Sequence, residues 1–330
     1  MIPDLPKLDD REEHFFIEGP NDGAKLFLRH LAAPASFERR RRAVLYIHGA
    51  TFPSALSIAH RFDGASWRDA LHGAGFDVWG LDFQGFGHSQ RYAAMNGDVP
   101  GPGPLCDAAD AARQIDTAVR FILRHAGLPN LSLISHSWGS IPTGRFVAAH
   151  SILVDRWVLF GPIVRRLPAA PTQPATLPAW RIVSVEDQWR RFVEDVPPDE
   201  PAVLLRRHFD DWAGRWLDTD SNSRLRSPAA VKNPAGPGAD IVQAHNGVLG
   251  YRPADVRVPI AIIRGEWDSL VTDADARWLF DAFRSAPAKR DIKISHGTHL
   301  LHLETMRTAL YSETNAFLLD SHVSAQPLAA

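Results

Sequence analysis

A serine in a sharp strand-to-helix turn is the first residue of this sequence that could do chemistry. The run Ser135-His136-Ser137-Trp138-Gly139 directly follows a predicted strand, Leu131–Ile134, and directly precedes a predicted helix, Ser140–His150. A nucleophilic serine in such an elbow needs small residues two positions before and two after it, because the turn is tight. Gly139 fits, and Ser135 stands where glycine is usual. This context favours a nucleophilic Ser137 over an ordinary strand-to-helix turn.

Two later segments, each after a predicted strand, hold residues that could activate a serine. Arg264-Gly265-Glu266-Trp267-Asp268 follows the strand Val258–Ile263 and offers two carboxylates. The loop from Ser295 to Glu304 offers three imidazoles, at positions 296, 299 and 302. An imidazole can take the proton of a serine, and a buried carboxylate can hold that imidazole in the required tautomer. The sequence therefore holds the parts of a nucleophilic triad.

Two glycine-containing turns complete the set of motifs. His48-Gly49-Ala50-Thr51 ends the predicted strand Ala43–Ile47, and the backbone N–H after such a His-Gly pair can help to hold an oxyanion. The run from Asp82 to Ser89 reads Asp-x-x-Gly-x-Gly-x-Ser and follows the predicted strand Phe76–Leu81. A metal site at Asp82 and His88 is the alternative, but one carboxylate and one imidazole rarely suffice.

The elements that must position these motifs are alternating strands and helices, which predict a mainly parallel α/β sheet with helices on both faces. The alternation breaks from Ile163 to about Asp255, a stretch rich in Pro, Arg and Trp that offers no apolar strand. We interpret residues 163–255 as an inserted, mostly helical lid (cap). Residues 1–162 and 256–330 then form the α/β core.

Taken together, these motifs resemble those of the α/β-hydrolase superfamily, in the branch of lysophospholipases, monoacylglycerol lipases and serine aminopeptidases. The resemblance runs from Gly23 to Leu319, apart from the lid. It assigns Asp268 as the acid, with Glu266 as its rival, and favours His299 as the base. The order Ser137, Asp268, His299 along the chain is the order expected for this fold.

The resemblance also implies roles for residues around the triad. The backbone N–H groups of Ala50 and Trp138 would form the oxyanion hole, and His48 and Thr51 would lie beside the substrate. It makes the turn at Asp82 and Ser89 structural. It leaves packing roles to the remaining imidazoles of the last loop, His296 and His302.

Departures from related families narrow the expected reaction. A serine nucleophile argues against haloalkane dehalogenases and epoxide hydrolases, which use aspartate. Residues 137–140 are similar to the Ser-Trp-Gly-Ser of proline iminopeptidases, but residues 48–51 lack their His-Gly-Gly-Pro-Gly loop. We expect a serine hydrolase that cleaves a small carboxylic ester or lactone. C–C bond hydrolysis, acyl transfer and aminopeptidase action with the same triad remain open, as does a non-catalytic binding protein.

The charge and composition exclude other classes of partner. A formal net charge of −2 gives no electrostatic case for nucleic acid or an acidic membrane. Cys106 is the only cysteine, so neither an intramolecular disulfide nor a cysteine zinc cluster can form. With no apolar run near the ~20 residues of a membrane span, we expect a cytoplasmic protein without stable membrane association, metal or cofactor. Its expected partner is a small-molecule acyl substrate, and a homodimer is left open.

Aromatic and basic side chains of the lid are candidates for the substrate pocket. For the four tryptophans we expect mainly packing, with one or two at most reaching the substrate. For the arginines we expect solvation. The lid composition favours compact, moderately apolar substrates. The residues concerned are Trp180, Trp189, Trp212 and Trp216, and Arg165, Arg166, Arg181, Arg190 and Arg191.

Overall fold

Eight strands form one twisted sheet in a computed structural model that describes residues 5–40, 42–101, 103–167 and 177–322. The strand order is β1-β2-β4-β3-β5-β6-β9-β10. The strands are β1 (Glu13–Glu18), β2 (Lys25–Leu31), β3 (Arg42–Ile47), β4 (Phe76–Asp82), β5 (Leu131–His136), β6 (Val154–Phe160), β9 (Ile260–Gly265) and β10 (Lys289–Ile294).

The sheet is antiparallel at one edge only. β1 pairs with β2 and β2 with β4 in antiparallel register, and every other neighbouring pair is parallel. The carboxyl ends of the parallel strands therefore meet at one edge, which is where open α/β sheets hold their sites. The predicted α/β class is confirmed.

Helices cover both faces of the sheet. Leu71 of α1 (Trp67–Gly73) and Leu310 of α8 (Arg307–Leu319) belong to the hydrophobic core on one face. The core on the other face takes in α2 (Ala108–Ala126), α3 (Ser140–His150) and α7 (Asp273–Ala282). Across the described residues, no helix is both long and apolar enough to cross a lipid bilayer.

The last helix begins later than its sequence predicts. A helix is expected from about Leu301 to Leu319, but residues 301–303 form a 3₁₀ turn and the backbone of Glu304 is extended. The Glu304 side chain accepts hydrogen bonds from Thr298, which pulls the chain out of helical geometry at this point. The α-helix therefore starts only at Arg307.

The described residues of the insertion between β6 and β9 form three α-helices and a small sheet. The helices are α4 (Val185–Val193), α5 (Arg206–Leu217) and α6 (Gly236–His245). The insertion also contains two strands that the sequence analysis did not predict, since β7 (Trp180–Ser184) pairs antiparallel with β8 (Ala230–Pro234). Both strands are short and interleave polar with apolar residues, so neither stands out as an apolar run.

Buried aromatic side chains attach the insertion to the core. Phe192, Trp212 and Trp216 share one hydrophobic cluster with Phe52 and Leu56, which follow β3. The Trp212 indole donates to the Leu56 carbonyl at 2.8 Å, and the indole of Trp216 bonds a carbonyl of the same loop at 3.1 Å. The insertion thus packs on the loop at the carboxyl end of β3.

Candidate active site

Ser137 occupies a strained turn at the end of β5. Its φ is +54°, a left-handed backbone conformation that residues other than glycine rarely adopt. A 3₁₀ turn over residues 137–139 leads directly into α3. A Cβ atom on Gly139 would lie 2.5 Å from the carbonyl oxygen of His48, so only glycine fits there. Strain of this kind at a strand-to-helix turn is the geometry of a nucleophile elbow.

Ser135, which stands where glycine is usual, makes a specific contact. Its hydroxyl accepts a hydrogen bond from the Trp157 indole N–H at 2.8 Å, and both side chains are buried. A buried indole N–H needs an acceptor. The serine therefore satisfies a donor on the neighbouring strand β6, and its small size still fits the turn.

The imidazole of His299 is bonded to the carboxylate of Asp268. His299 Nδ1 lies 2.9 Å from Oδ2 and 3.1 Å from Oδ1 of Asp268, and the backbone N–H of Leu270 donates to Oδ1 at 2.9 Å. The two side chains are 4% and 0% exposed. Gly161 has a φ of +51°, and a Cβ atom there would lie 3.0 Å from His299 Nδ1. The end of β6 thus closes over this pair.

A cavity of about 350 Å³ brings Ser137 and His299 together. His299 Nε2 is buried and has no hydrogen-bond partner among the described residues. In free enzymes the hydrogen bond between nucleophile and base is often long and tightens only when substrate binds. Ser137, His299 and, through His299, Asp268 therefore form one group at the carboxyl edge of the sheet.

The rival acid and bases lie elsewhere. Glu266 is exposed and accepts a hydrogen bond from the His296 backbone N–H at 3.2 Å. His296 is exposed and packs against Trp267, with ring centroids 5.5 Å apart. His302 is buried, and neither of its ring nitrogens has a partner among the described residues. Of the three imidazoles in the described loop, His299 is the one that bonds to the carboxylate of Asp268.

The two residues predicted for the oxyanion hole flank Ser137. Ala50 lines the cavity. Trp138 is the second residue of the 3₁₀ turn, and the first N–H groups of a helical segment have no partner within it. Its side chain is buried, and the indole donates to Asp240 of α6 at 2.8 Å. Burial raises the pKa of Asp240 to about 6.

Of the two residues predicted to contact substrate, the structure brings one to the cavity. Thr51 lines it, and its hydroxyl accepts from the Gln188 amide of α4 at 3.1 Å. The structure places His48 outside the cavity lining: its Nδ1–H donates to the Gly49 carbonyl at 2.7 Å, and its Nε2 accepts from the Phe83 N–H at 3.1 Å. Burial lowers the pKa of His48, so the ring is neutral and holds the loop.

The turn at Asp82 is occupied by backbone and hydroxyl donors. Its carboxylate accepts from the Ser54 N–H at 3.0 Å, from the Ser54 hydroxyl at 2.6 Å and from the His88 N–H at 3.1 Å. The Ser89 hydroxyl donates to the Asp82 carbonyl. These contacts fix the loop after β4, as expected for a structural turn.

Two buried residues that sequence reasoning missed support the base. The Nε2–H of His136 donates to the His299 backbone carbonyl at 3.1 Å. Burial, together with the nearby His302 and His299, lowers the pKa of His136 well below its usual range. Glu304 accepts from the Thr298 N–H at 2.9 Å and from its hydroxyl, and burial raises the pKa of Glu304 to about 7. The position of His136 next to Ser137 was the one sequence feature that could have indicated its place at the site. No sequence feature indicated the contact of Glu304.

A group of possible metal ligands lies away from the cavity. Glu13, His30 and His125 place ligand atoms within 4.8 Å of one another, on β1, β2 and the last turn of α2. His30 Nδ1 is 2.9 Å from the Glu13 carboxylate, and its ring stacks on Trp79 at 3.9 Å. None of the three ligands belongs to the cavity lining.

The wall that the insertion gives to the cavity contains charged and apolar side chains but none of its tryptophans. None of the four tryptophans of the insertion belongs to the lining. They pack in the core of the insertion or bond to backbone carbonyls. Three of the five arginines named as candidates line the cavity, namely Arg181, Arg190 and Arg191. The lining residues from the insertion are Arg181, Val183, Asp187, Gln188, Arg190, Arg191, Phe192, Glu194 and Ile241.

Comparison with known families identifies the class of protein. Residues 42–305 match the family model described as alpha/beta hydrolase fold, so the chain belongs to this family. Hydrolysis is the activity that this membership supports.

Solved structures of similar fold carry several activities. They include an epoxide hydrolase from Vigna radiata (14% identity, TM-score 0.57, covering 94% of this chain and 98% of that one). A serine hydrolase from Cycloclasticus zankles has 17% identity and a TM-score of 0.57, with 93% and 98% covered. The thioesterase domain of the curacin biosynthetic pathway has 15% identity and a TM-score of 0.58, with 92% and 98% covered. At these identities the likeness shows the fold alone. No curated protein sequence matches the chain significantly.

Proposed function

We propose that this protein is a serine hydrolase that cleaves a small carboxylic ester or lactone through an acyl-enzyme. One observation carries the proposal. Ser137 sits in the elbow at a φ of +54° and shares a cavity with His299, whose Nδ1 is bonded to the buried carboxylate of Asp268. A hydroxyl, a base and an acid that orients the base are the parts that acyl transfer needs.

In the first half of the reaction, Ser137 Oγ attacks the substrate carbonyl carbon while His299 Nε2 takes the hydroxyl proton. The carbonyl oxygen becomes an oxyanion and accepts hydrogen bonds from the backbone N–H groups of Ala50 and Trp138. His299 then gives its proton to the leaving oxygen as the C–O bond breaks. Asp268 keeps its hydrogen bond to Nδ1 throughout and stabilises the imidazolium.

In the second half, water replaces the leaving group. His299 Nε2 takes a proton from the water as its oxygen attacks the acyl carbon, and the same two N–H groups hold the new oxyanion. When the bond to Ser137 Oγ breaks, His299 returns the proton to that oxygen. An ester yields an alcohol and a carboxylic acid, a lactone yields a single hydroxy acid, and the enzyme is regenerated.

The size of the cavity and its walls support a small substrate. A volume of about 350 Å³ is near the lower end of ligand pockets, which run from about 300 to 1,000 Å³. β7 and α4 of the insertion form one wall, so we propose that the insertion is a lid that sets substrate choice. Some proteins of similar structure are described as carboxylesterases or as an esterase.

Labelling by a fluorophosphonate probe and hydrolysis of short acyl esters test the proposal. Ser137→Ala should abolish labelling and lower turnover by about 10⁴- to 10⁶-fold, because it removes the nucleophile. Ser151→Ala is the matched control, since its hydroxyl bonds the Val147 carbonyl outside the cavity. Near-normal hydrolysis by folded Ser137→Ala would refute the assignment.

A further inference from the structure

The inner wall of the cavity holds more positive than negative side chains from the insertion. Arg181, Arg190 and Arg191 line it, against Asp187 and Glu194. Surface arginines are usually matched by carboxylates or by water. The pairing of these five groups therefore shows which charge is left for a substrate.

Both acids are already engaged. Asp187 Oδ2 accepts from the Ser184 N–H at 3.1 Å and from its hydroxyl at 2.7 Å, in the capping box of α4, and Oδ1 is 3.5 Å from Arg190. Glu194 Oε1 accepts from Arg191 Nη1 at 2.8 Å. Neither carboxylate is left to bind a cationic substrate.

Two guanidinium groups keep unused donors. Arg191 Nη2 is buried and has no hydrogen-bond partner among the described residues. Among the described residues, the side chain of Arg181 makes no hydrogen bond or ion pair. It lies on the same face of β7 as Val183, and both side chains line the cavity. Arg181 is exposed to solvent, yet desolvation lowers its pKa. A side chain that faces a partly enclosed cavity is expected to be both accessible to solvent and partly desolvated.

The charge of Arg191 also reaches the catalytic elbow. It contributes to the lowered pKa of His136, after burial and the two neighbouring histidines. His136 directly precedes Ser137. Arg191 is paired with Glu194 at 2.8 Å and lies 3.7 Å from Asp195, so it offers an unused Nη2 donor and not an unpaired charge. Arg181 is then the cation without an ion pair in the described wall of the cavity that Ser137 also lines.

We propose that the substrate carries a carboxylate in addition to the bond that is cleaved, and that Arg181 and Arg191 bind this carboxylate. The inference rests on the proposed function, because it places the second group relative to Ser137. Guanidinium donors match carboxylate geometry, and hydrogen bonds to charged groups are stronger than neutral ones. The composition of the lid suggested compact, moderately apolar substrates. This proposal instead expects compact anionic ones.

Matched pairs of esters test this inference. Monomethyl glutarate and methyl 5-methylhexanoate place a carboxylate or an isopropyl group of similar shape on the acyl side. In the acetate esters of 4-hydroxybenzoate and 4-isopropylphenol, the carboxylate or the isopropyl group lies on the leaving group. In at least one pair, kcat/KM should favour the anion by tenfold or more, and high salt should reduce that preference.

Substitution of Arg181 then identifies the binding group. Arg181→Gln should lower kcat/KM for the anionic ester by about ten- to hundredfold and leave the neutral ester within about threefold. Arg181→Lys should restore part of the preference. Arg224→Gln is the control, because Arg224 belongs to the insertion, pairs with Asp218 at 2.6 Å and is not part of the lining.

The outcomes separate this inference from the proposed function. No anionic preference in either pair, or the same preference in folded Arg181→Gln as in the unsubstituted protein, overturns the inference. Hydrolysis of neutral esters that depends on Ser137 would leave the proposed function standing in that case. Absence of both ester hydrolysis and fluorophosphonate labelling overturns the two together. If Arg181→Gln does not fold, Arg181→Lys and the salt dependence decide.

Discussion

Replacing Asp268 by asparagine should reverse the tautomer of His299. The Leu270 backbone N–H donates to Oδ1 of Asp268 at 2.9 Å, so an asparagine would place its oxygen there. Its NH₂ group then takes the position of Oδ2, which is 2.9 Å from His299 Nδ1. Because the asparagine NH₂ group is a hydrogen-bond donor, Nδ1 of His299 must be unprotonated to accept from it. The ring proton therefore moves to Nε2. Nε2 is the atom that has to accept the Ser137 proton.

The expected loss is large and specific. Asp268→Asn should lower kcat by up to about 10⁴-fold, the effect of a wrong tautomer in a triad. Burial of both side chains blocks rescue by solvent. The assay is steady-state hydrolysis of a short chromogenic ester, with thermal denaturation to show that the variant is folded.

Glu266→Gln is the matched control for this prediction. Glu266 is exposed, and its carboxylate contacts only the His296 N–H, at 3.2 Å, among the described residues. Its substitution should change kcat less than about twofold. The reverse ranking, with Glu266→Gln inactive and Asp268→Asn active, would refute the reasoning and move the acid.

Further substitutions at three residues test the contacts around the proposed triad. Ser135→Ala should lower the free energy of unfolding by about 1–3 kcal/mol, because the buried Trp157 indole loses its acceptor; chemical denaturation measures this, and no loss contradicts the role. Asp240→Asn should keep activity, because Oδ2 alone accepts the hydrogen bonds from Trp138 and from the backbone, and an amide oxygen can replace it. Asp240→Leu removes that acceptor and should lower kcat. Equal kcat values for the two variants would contradict this role of Asp240. Glu304, whose pKa is raised to about 7, should stabilise the fold most below about pH 4.5 and lose this contribution as pH rises through 7. Relative to Glu304→Gln, the unfolding free energy should therefore fall with pH, and parallel curves would refute this.

The sequence was sufficient for the fold because each core element carries a strong local signal. After Arg42, β3 is a continuous apolar run, and β5 carries three aliphatic residues among its first four. α2 is bounded by Asp107 at its N-cap and by Gly127 in the left-handed conformation at its end. The insertion lacked such signals. β7 and β8 are five residues each and pair across an intervening stretch that contains two helices, α4 and α5. Pairing over that distance depends on tertiary packing that no local pattern encodes.

The candidate site was predictable to the extent that it lies at strand ends. Ser137, Asp268 and His299 each follow a strand, so parallel packing alone brings them to one edge. The direction of a side chain is another matter. His48 also follows a strand, yet its ring turns away from the cavity to bond Gly49 and Phe83. The role proposed for Arg181 depends equally on its place in β7 and on its lack of an ion pair among the described residues, neither of which composition reveals.

The buried imidazoles beside the triad explain why one histidine can act alone. The rings of His136 and His299 are 5.0 Å apart, and those of His136 and His302 are 4.6 Å apart. Burial is the first cause that lowers the pKa of both His136 and His302 well below the usual range, so both remain neutral at physiological pH. Of these three described imidazoles, His299 is the one with a carboxylate on its Nδ1 to stabilise a positive ring. In the proposed reaction, the proton taken from Ser137 therefore stays on His299 and is available to the leaving group, because neither neighbouring imidazole competes for it.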